Sequence, residues 1–204
     1  MENPTLYYVH DPMCAWCWGY KPTLIDLEQL LPEHITLVYL LGGLAADSDI
    51  EMPVEMQSYL QQTWRKIAMQ LGTQFNHQFW QANTPRRSTY PANRAVLAAK
   101  IQGAEKAMIV AIQQAYYLAA KNPSDLSVLV GLAEDLNLDI EKFKTDIASD
   151  KLNANLLEAI QYAREMPIHG FPSLVLQKDG HYHSVVLNYK NAQASLEHIQ
   201  QLLA

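Results

Sequence analysis

Cysteine is nearly absent from this 204-residue chain: Cys14 and Cys17 are its only two. So few exclude a disulfide framework as the source of stability, and a 49% apolar composition supplies a core that needs none. Positive charge is also short. Lys and Arg number 15 against 21 Asp and Glu, the formal net charge is −6, and no basic run occurs. That excludes a general nucleic-acid binder, whose electrostatic footprint is basic. Long apolar runs are missing too: the longest are broken by Gln, Lys or Glu, well short of the roughly 18 residues of a membrane span. Asn3-Pro4-Thr5 leads straight into a strand-like run, with no basic n-region, apolar h-region or small-residue cleavage site. These absences predict a cytoplasmic protein with no membrane or nucleic-acid partner, and leave its oligomeric state open. No internal repeat, low-complexity tract or flexible linker is visible.

What is present is concentrated in Asp11-Pro12-Met13-Cys14-Ala15-Trp16-Cys17-Trp18-Gly19-Tyr20, where the two cysteines stand three apart. An apolar β-branched and aromatic run, Leu6-Tyr7-Tyr8-Val9, precedes it, and Leu24, Leu27, Leu30 and Leu31 follow at helical spacing. The pair therefore falls where a strand turns into a helix. A helix start offers unpaired N–H groups and the positive end of the macrodipole, both favouring a thiolate. Cys14 is the candidate nucleophile. Cys17, one turn later, is placed to close a disulfide with it or to resolve a mixed one. In a reducing compartment such a pair points to redox chemistry rather than a structural bridge. Two plainer readings stand beside it. Free cysteines often pack as small hydrophobes, though rarely as a lone pair at a helix start. A zinc half-site could recruit His10 and His169, but no second close pair of ligands is visible, so no metal is expected. His181 and His183 alternate along a strand and are expected to face solvent.

Along the chain, His34 to Leu41 is a near-continuous apolar run, the pattern of a strand buried on both faces, and Gly42-Gly43 ends it. Strand, helix and strand make a βαβ unit with a parallel pair. From Glu51 to Met166 the periodicity turns helical. Leu60, Trp64, Ile67 and Leu71 form a stripe closed by Gly72; Phe75 to Trp80 is a short aromatic segment, and Asn83 to Ser88 is loop-like. Pro91 suits a first helical turn, and Ser124 and Asp139 are expected helix caps. A final helix of this block carries Leu152, Leu156, Ile160 and Ala163. Beyond it, Ser173 to Leu176 and Tyr182 to Leu187 read as strands joined by the two-residue turn Asp179-Gly180. Asn191 caps a closing amphipathic helix with Leu196, Ile199 and Leu203.

The segments Asp11 to Gly19, Tyr90-Pro91-Ala92-Asn93-Arg94-Ala95-Val96 and Gly170-Phe171-Pro172-Ser173-Leu174, with this element order, resemble the DsbA-like oxidoreductases. Within them the match is to the predicted protein-disulfide isomerases of the bacterial cytosol, related to FrnE-type proteins. The resemblance implies an α/β thioredoxin fold, βαβ…ββα with a mixed sheet, and a large all-helical insertion. Residues 1–48 and 167–204 would form the thioredoxin-like domain and 49–166 the insert. It implies a thiol-disulfide oxidoreductase or protein-disulfide isomerase, with Cys14 and Cys17 catalytic and Trp16, Phe171 and Pro172 against the substrate. Phe171-Pro172 would be a cis bond beside the cysteines, its backbone offering hydrogen bonds to a peptide or thiol. From sequence alone, Pro172 could equally begin a strand. No cofactor is implied beyond the redox-active disulfide. Its partners would be disulfide- or thiol-containing proteins or small thiols, with glutathione or a thioredoxin-type system recycling the pair.

The chain departs from that family at two points. The family's buried acid, six residues before the nucleophile, is Tyr8 here, with His10 and Asp11 as nearby replacements. Between the thiols, Ala15-Trp16 supplies neither proline nor histidine, so no charge there supports the Cys14 thiolate, and a less oxidising couple is expected. Met13, Trp16, Trp18, Tyr20 and Phe171 are candidates for an apolar rim or, Trp18 and Tyr20 especially, for packing the helix on the sheet. Arg86 and Arg87 could meet the carboxylates of glutathione or simply be solvated. Kappa-type glutathione transferases and 2-hydroxychromene-2-carboxylate isomerases resemble the same inserted fold but carry serine at the Cys14 place and lack Cys17. A zinc-binding interaction module is the non-enzymatic alternative.

Overall fold

In a computed structural model, which describes residues 3–204, the first apolar run becomes β1 (Thr5–His10). Among the described residues β1 pairs in parallel with β2 (Thr36–Leu41) and antiparallel with β3 (Ser173–Lys178), which pairs antiparallel with β4 (His181–Val185). The sheet order is β2-β1-β3-β4. Alternation along β1 sends its side chains to opposite layers. Leu6 and Tyr8 meet Tyr20, Leu24 and Leu27 of α1 (Ala15–Leu30) and Leu196 and Ile199 of α9 (Ala192–Leu203). Tyr7 and Val9 meet Ala163 and Met166 at the end of α8 (Asp150–Arg164). This is an α/β mixed sheet covered on both faces.

β2 differs from its apolar pattern. It is an edge strand, and only Leu40 and Leu41 are buried. Its apolarity has a cause: Leu37 and Tyr39 pack in the layer of α1, and Leu40 in the layer of α8, so both faces are covered while the edge stays open. The turn Asp179-Gly180 is as expected, with φ of 50° and 78° joining Lys178 to His181.

Between β2 and β3 the chain is helical: α2 (Val54–Leu71), α3 (Phe79–Ala82), α4 (Tyr90–Ile101), α5 (Glu105–Tyr117), α6 (Leu126–Asp135), α7 (Ile140–Ile147) and α8. Trp64 of α2 is its hub, 1% exposed, with the rings of Phe75, Phe79, Tyr116 and Tyr117 between 5.1 and 5.9 Å away. Gly72 ends α2 in the left-handed region. Asp139 and Asn191 cap α7 and α9 as read from sequence, accepting from the N–H of Lys142 and Gln193. Ser124 does not cap α6. The N-cap is Asp125, whose carboxylate is drawn away by Arg86, while the Ser124 hydroxyl donates to the Ser88 carbonyl. Ser149, unremarked in the sequence, caps α8.

One buried acid joins these parts. Asp11, fully buried after β1, accepts at Oδ1 from the Met13 N–H (2.8 Å). At Oδ2 it accepts from the Leu44 N–H (2.8 Å), Thr89 Oγ1 (2.7 Å) and Asn93 Nδ2 (2.9 Å). Burial raises its carboxyl above the usual range, and these donors pull it back. Asp11→Asn would aim an amide N–H at one of these donors. A loss of about 1–3 kcal/mol is expected for each donor left unpaired. A lowered denaturant midpoint at unchanged m would show it; a wild-type midpoint would refute it.

His10 is fully buried, stacked at 4.9 Å on Tyr8, and neither ring nitrogen has a protein partner. Burial lowers it from 6.5 to about 3, so the folded ring is neutral. The unfolded chain takes up this proton below pH 6.5, so stability is present above that value and lost as pH falls toward 3. His10→Phe keeps the stack and removes the titration. The difference between wild type and variant should change by about 2–3 kcal/mol between neutral pH and roughly pH 4.5. Parallel pH-stability curves would contradict this assignment.

Candidate active site

The chain leaving β1 turns through Asp11-Pro12-Met13, fixed by the Asp11 carboxylate and by the Cys14 N–H donating to the Asp11 carbonyl at 3.0 Å. Cys14 is thereby set as the N-cap of α1, with extended backbone (φ −82°, ψ 119°). Its sulfur does what a capping oxygen does elsewhere, accepting from the Cys17 N–H at 3.4 Å. The Cys14 thiol reaches across to the Phe171 carbonyl, also at 3.4 Å. The Phe171–Pro172 bond is cis. The two thiols are unbridged.

They are not equivalent. Cys14 is 6% exposed and Cys17 is 0% exposed. Burial pushes the Cys17 thiol well above its ordinary range, and the hydrogen bond and charge of Cys14 add to that. One sulfur lies at the positive end of a helix facing an opening, and the other is a sealed thiol a turn behind it.

The opening is a cavity of about 240 Å³ whose lining includes Cys14, Trp16 and Phe171 on one side and Met52, Met56 and Leu60 on the other. Leu60, of the sequence stripe, is only half-buried because it borders this trough. Phe171 can sit there because β2 ends in glycine: a Cβ at Gly42 would fall 2.1 Å from its ring. Trp16 rests edge-on against Tyr189 at 5.3 Å, with Lys66 Nζ 5.8 Å from its ring centre.

Of the expected apolar rim, Met13, Trp16 and Phe171 line the trough, while Trp18 and Tyr20 do not. Trp18 stacks on Tyr117 at 5.8 Å and donates through Nε1 to the Gln74 carbonyl; Tyr20 is buried between Tyr8 and Tyr189. Arg86 and Arg87 both reach the trough. Arg86 is held by Asp125 and the Ser124 carbonyl, whereas Arg87 is exposed and, among the described residues, has Met56 Sδ, at 4.0 Å, as its hydrogen-bond partner. His169 is exposed, His181 is exposed and His183 is half-buried, and among the described residues no three His, Cys, Asp or Glu side chains gather as for a metal ion. Of the two proposed replacements for the missing acid, burial lowers His10 to about 3 and so makes it a weak base, and Asp11 is occupied on both oxygens.

Sequence reasoning missed the wall opposite Cys14, supplied by Met52, Met56 and Tyr59, because those residues read there as an ordinary helix start. It also missed the Asp11 donors, although Asn93 lay inside a motif already singled out.

Comparison with known proteins agrees with this architecture. A family model described as Thioredoxin matches residues 7–196. The ClpXP adapter protein SpxH of Bacillus subtilis is 28% identical over 180 residues, covering 86% of this chain and 59% of its own length. The chain thus spans less than two thirds of the curated relatives it matches. A candidate protein disulfide isomerase from Nitrosomonas europaea superposes with a TM-score of 0.85 at 26% identity, over 99% of this chain and 98% of that one. The cytosolic disulfide reductase DsbM from Pseudomonas aeruginosa gives 0.79 at 26% identity, over 98% and 100%, and has also been solved with glutathione. With its mixed sheet, its helical insertion between β2 and β3, and a family match over nearly its whole length, the chain belongs to the thioredoxin family, in the DsbA-like form of that fold.

Proposed function

We propose that the chain is a thiol-disulfide oxidoreductase of the cytosol working through Cys14 and Cys17. The observation that carries this is Cys14 Sγ capping α1 at the floor of an open trough, with Cys17 sealed behind it. The Cys14 thiolate attacks one sulfur of a substrate disulfide, forming a mixed disulfide and releasing the other sulfur as thiolate. Cys17, once deprotonated, attacks Cys14 Sγ. The second substrate thiolate leaves, and the Cys14–Cys17 disulfide holds the oxidising equivalent. Run backwards, the same steps oxidise or, repeated, isomerise. Residues 1–48 and 167–204 act as the redox scaffold, and 49–166 supply the far wall of the trough. Trp16, Phe171 and Pro172 flank the reacting sulfur on the scaffold side. The cytosolic reductase among its structural neighbours supports both the chemistry and the compartment.

Glutathione is the small thiol that fits best as recycling partner, since among the described residues no acid pairs with Arg87 at the trough, and the neighbouring reductase has been solved with glutathione. An adapter activity is the second reading, supported by the SpxH relatives and by exposed Ile50, Val54 and Tyr59 around the trough's far wall. A Cys14→Ser, Cys17→Ser double variant separates the two, because client binding without thiol chemistry survives only in the adapter.

Cys17→Ser should accumulate mixed disulfides on Cys14, seen by mass spectrometry, and Cys14→Ser should lose disulfide reduction. No adduct in the first and full turnover in the second would defeat the proposal. Arg87→Gln should raise KM for glutathione roughly three- to tenfold while leaving reduction of an uncharged aromatic disulfide unchanged. Equal effects on both substrates would remove Arg87 from glutathione recognition.

A further inference from the structure

Both walls of the trough over Cys14 are largely apolar, and most of the polar side chains that border it are already engaged. Arg86 is paired with Asp125, Thr63 Oγ1 donates to the Tyr59 carbonyl at 3.0 Å, and Thr89 Oγ1 donates to Asp11. Tyr116 of α5 is different. It lines the trough and is 6% exposed, and its ring is fixed by Trp64 at 5.5 Å, Phe79 at 4.8 Å and Tyr117 at 4.6 Å. Tyr117, the next residue, donates its hydroxyl to the Met13 carbonyl, but the Tyr116 hydroxyl has no hydrogen-bond partner among the described residues. A hydroxyl held in an aromatic cluster carries a desolvation cost that only a hydrogen bond offsets, so phenylalanine would serve folding there at least as well. The group is accounted for by a ligand rather than by the fold.

Arg87 borders the same trough, and its neighbours in the loop are anchored. The Met52 N–H donates to the Pro85 carbonyl at 2.8 Å, and Ser88 Oγ accepts from the Ser48 N–H at 3.2 Å. Among the described residues no acid pairs with its guanidinium and no Asp or Glu lines the trough, although the chain carries a net charge of −6. A fixed hydroxyl and an unopposed guanidinium in apolar walls are donors that match a carboxylate on a small apolar body. Resting on the redox reading above, we infer that Tyr116 and Arg87 form a carboxylate subsite on the insertion wall, which directs Cys14 to small disulfides bearing a carboxylate. Both side chains donate to the carboxylate oxygens, while Met52, Met56 and Leu60 cover the body that joins it to the sulfur. No bond is made or broken at the subsite; Tyr116 sets which disulfide is held over Cys14. Buried Tyr116 acts at contact distance, whereas exposed Arg87 is screened by salt.

The test compares two aromatic disulfides: dithiobis-nitrobenzoate, with a carboxylate on each ring, and dithiodipyridine, with none. In Tyr116→Phe the preference for the first, taken as the ratio of kcat/KM values, should fall roughly tenfold, through KM rather than kcat, while the denaturant midpoint holds or rises. The fall should persist at high salt, where that of Arg87→Gln shrinks. Measured with oxidised glutathione in place of the nitrobenzoate, the same drop supports the subsite for peptidic acids, and a drop with the nitrobenzoate alone supports it for aromatic acids. Phenylpropionate, a carboxylate without sulfur, should bind the Cys14→Ser, Cys17→Ser protein by calorimetry, and roughly tenfold more weakly once Tyr116→Phe is added. An unchanged ratio, an equal loss on both disulfides or a lowered midpoint overturns the subsite. If phenylpropionate binds but protein with both cysteines reduces no disulfide, the redox reading falls and the subsite stands, so the two failures are distinct.

Discussion

The site depends on a buried carboxylate that stands beside the two thiols rather than on the thiols themselves. Burying an ionised group is expensive unless donors replace its water, and Asp11 gathers them from three separate places: its own turn, the loop after β2 and the start of α4. Because Met13, Leu44, Thr89 and Asn93 converge on it, the turn that ends in Cys14 is held to the helical insertion. The trough has one wall on the scaffold and one on the insertion, so its shape follows from this one group. Tyr117 adds a second tie, donating to the Met13 carbonyl at 2.7 Å.

With that frame fixed, α1 separates two environments. Its N-terminus faces the trough, where Cys14 meets the Phe171 carbonyl and a wall rich in methionine, a flexible and polarisable lining suited to varied partners. Its flank faces the sheet, where Cys17, Tyr8 and His10 lie in a buried layer rich in aromatic rings. The asymmetry of the two thiols is therefore architectural. One accepts an N–H and is reachable, and the other is desolvated and resists ionisation.

Much of this was legible in the residues because its causes are short-range. A strand run followed by a helix start located Cys14, Asp139 and Asn191 capped where local chemistry said they would, and Asp179-Gly180 turned as two residues with positive φ must. Other features depend on partners far along the chain. Three of the four Asp11 donors lie 33, 78 and 82 residues away, and nothing beside an Asp in a turn distinguishes such an anchor from a solvated residue. Asp125 displaced Ser124 as cap because Arg86 approached from a distant loop. Trp18 and Tyr20 were open between rim and packing because both flank the cysteines, and a helix sends consecutive residues to different faces, so both pack in other layers. The edge position of β2 was hidden because layers covering both faces give an edge strand the pattern of a central one.

The dipeptide between the thiols shows how far the insertion reaches into the redox pair. Ala15-Trp16 brings no charge of its own, but Lys66 of α2 is carried over the Trp16 ring, and Arg87 stands across the trough. Positive potential at the site is thus borrowed from the insertion rather than built into the helix turn. Such charges act through partly solvated space and are screened by salt, unlike a cation between the cysteines. At contact distance Cys14 Sγ accepts the Cys17 N–H at the end of α1, while burial makes Cys17 resist ionisation.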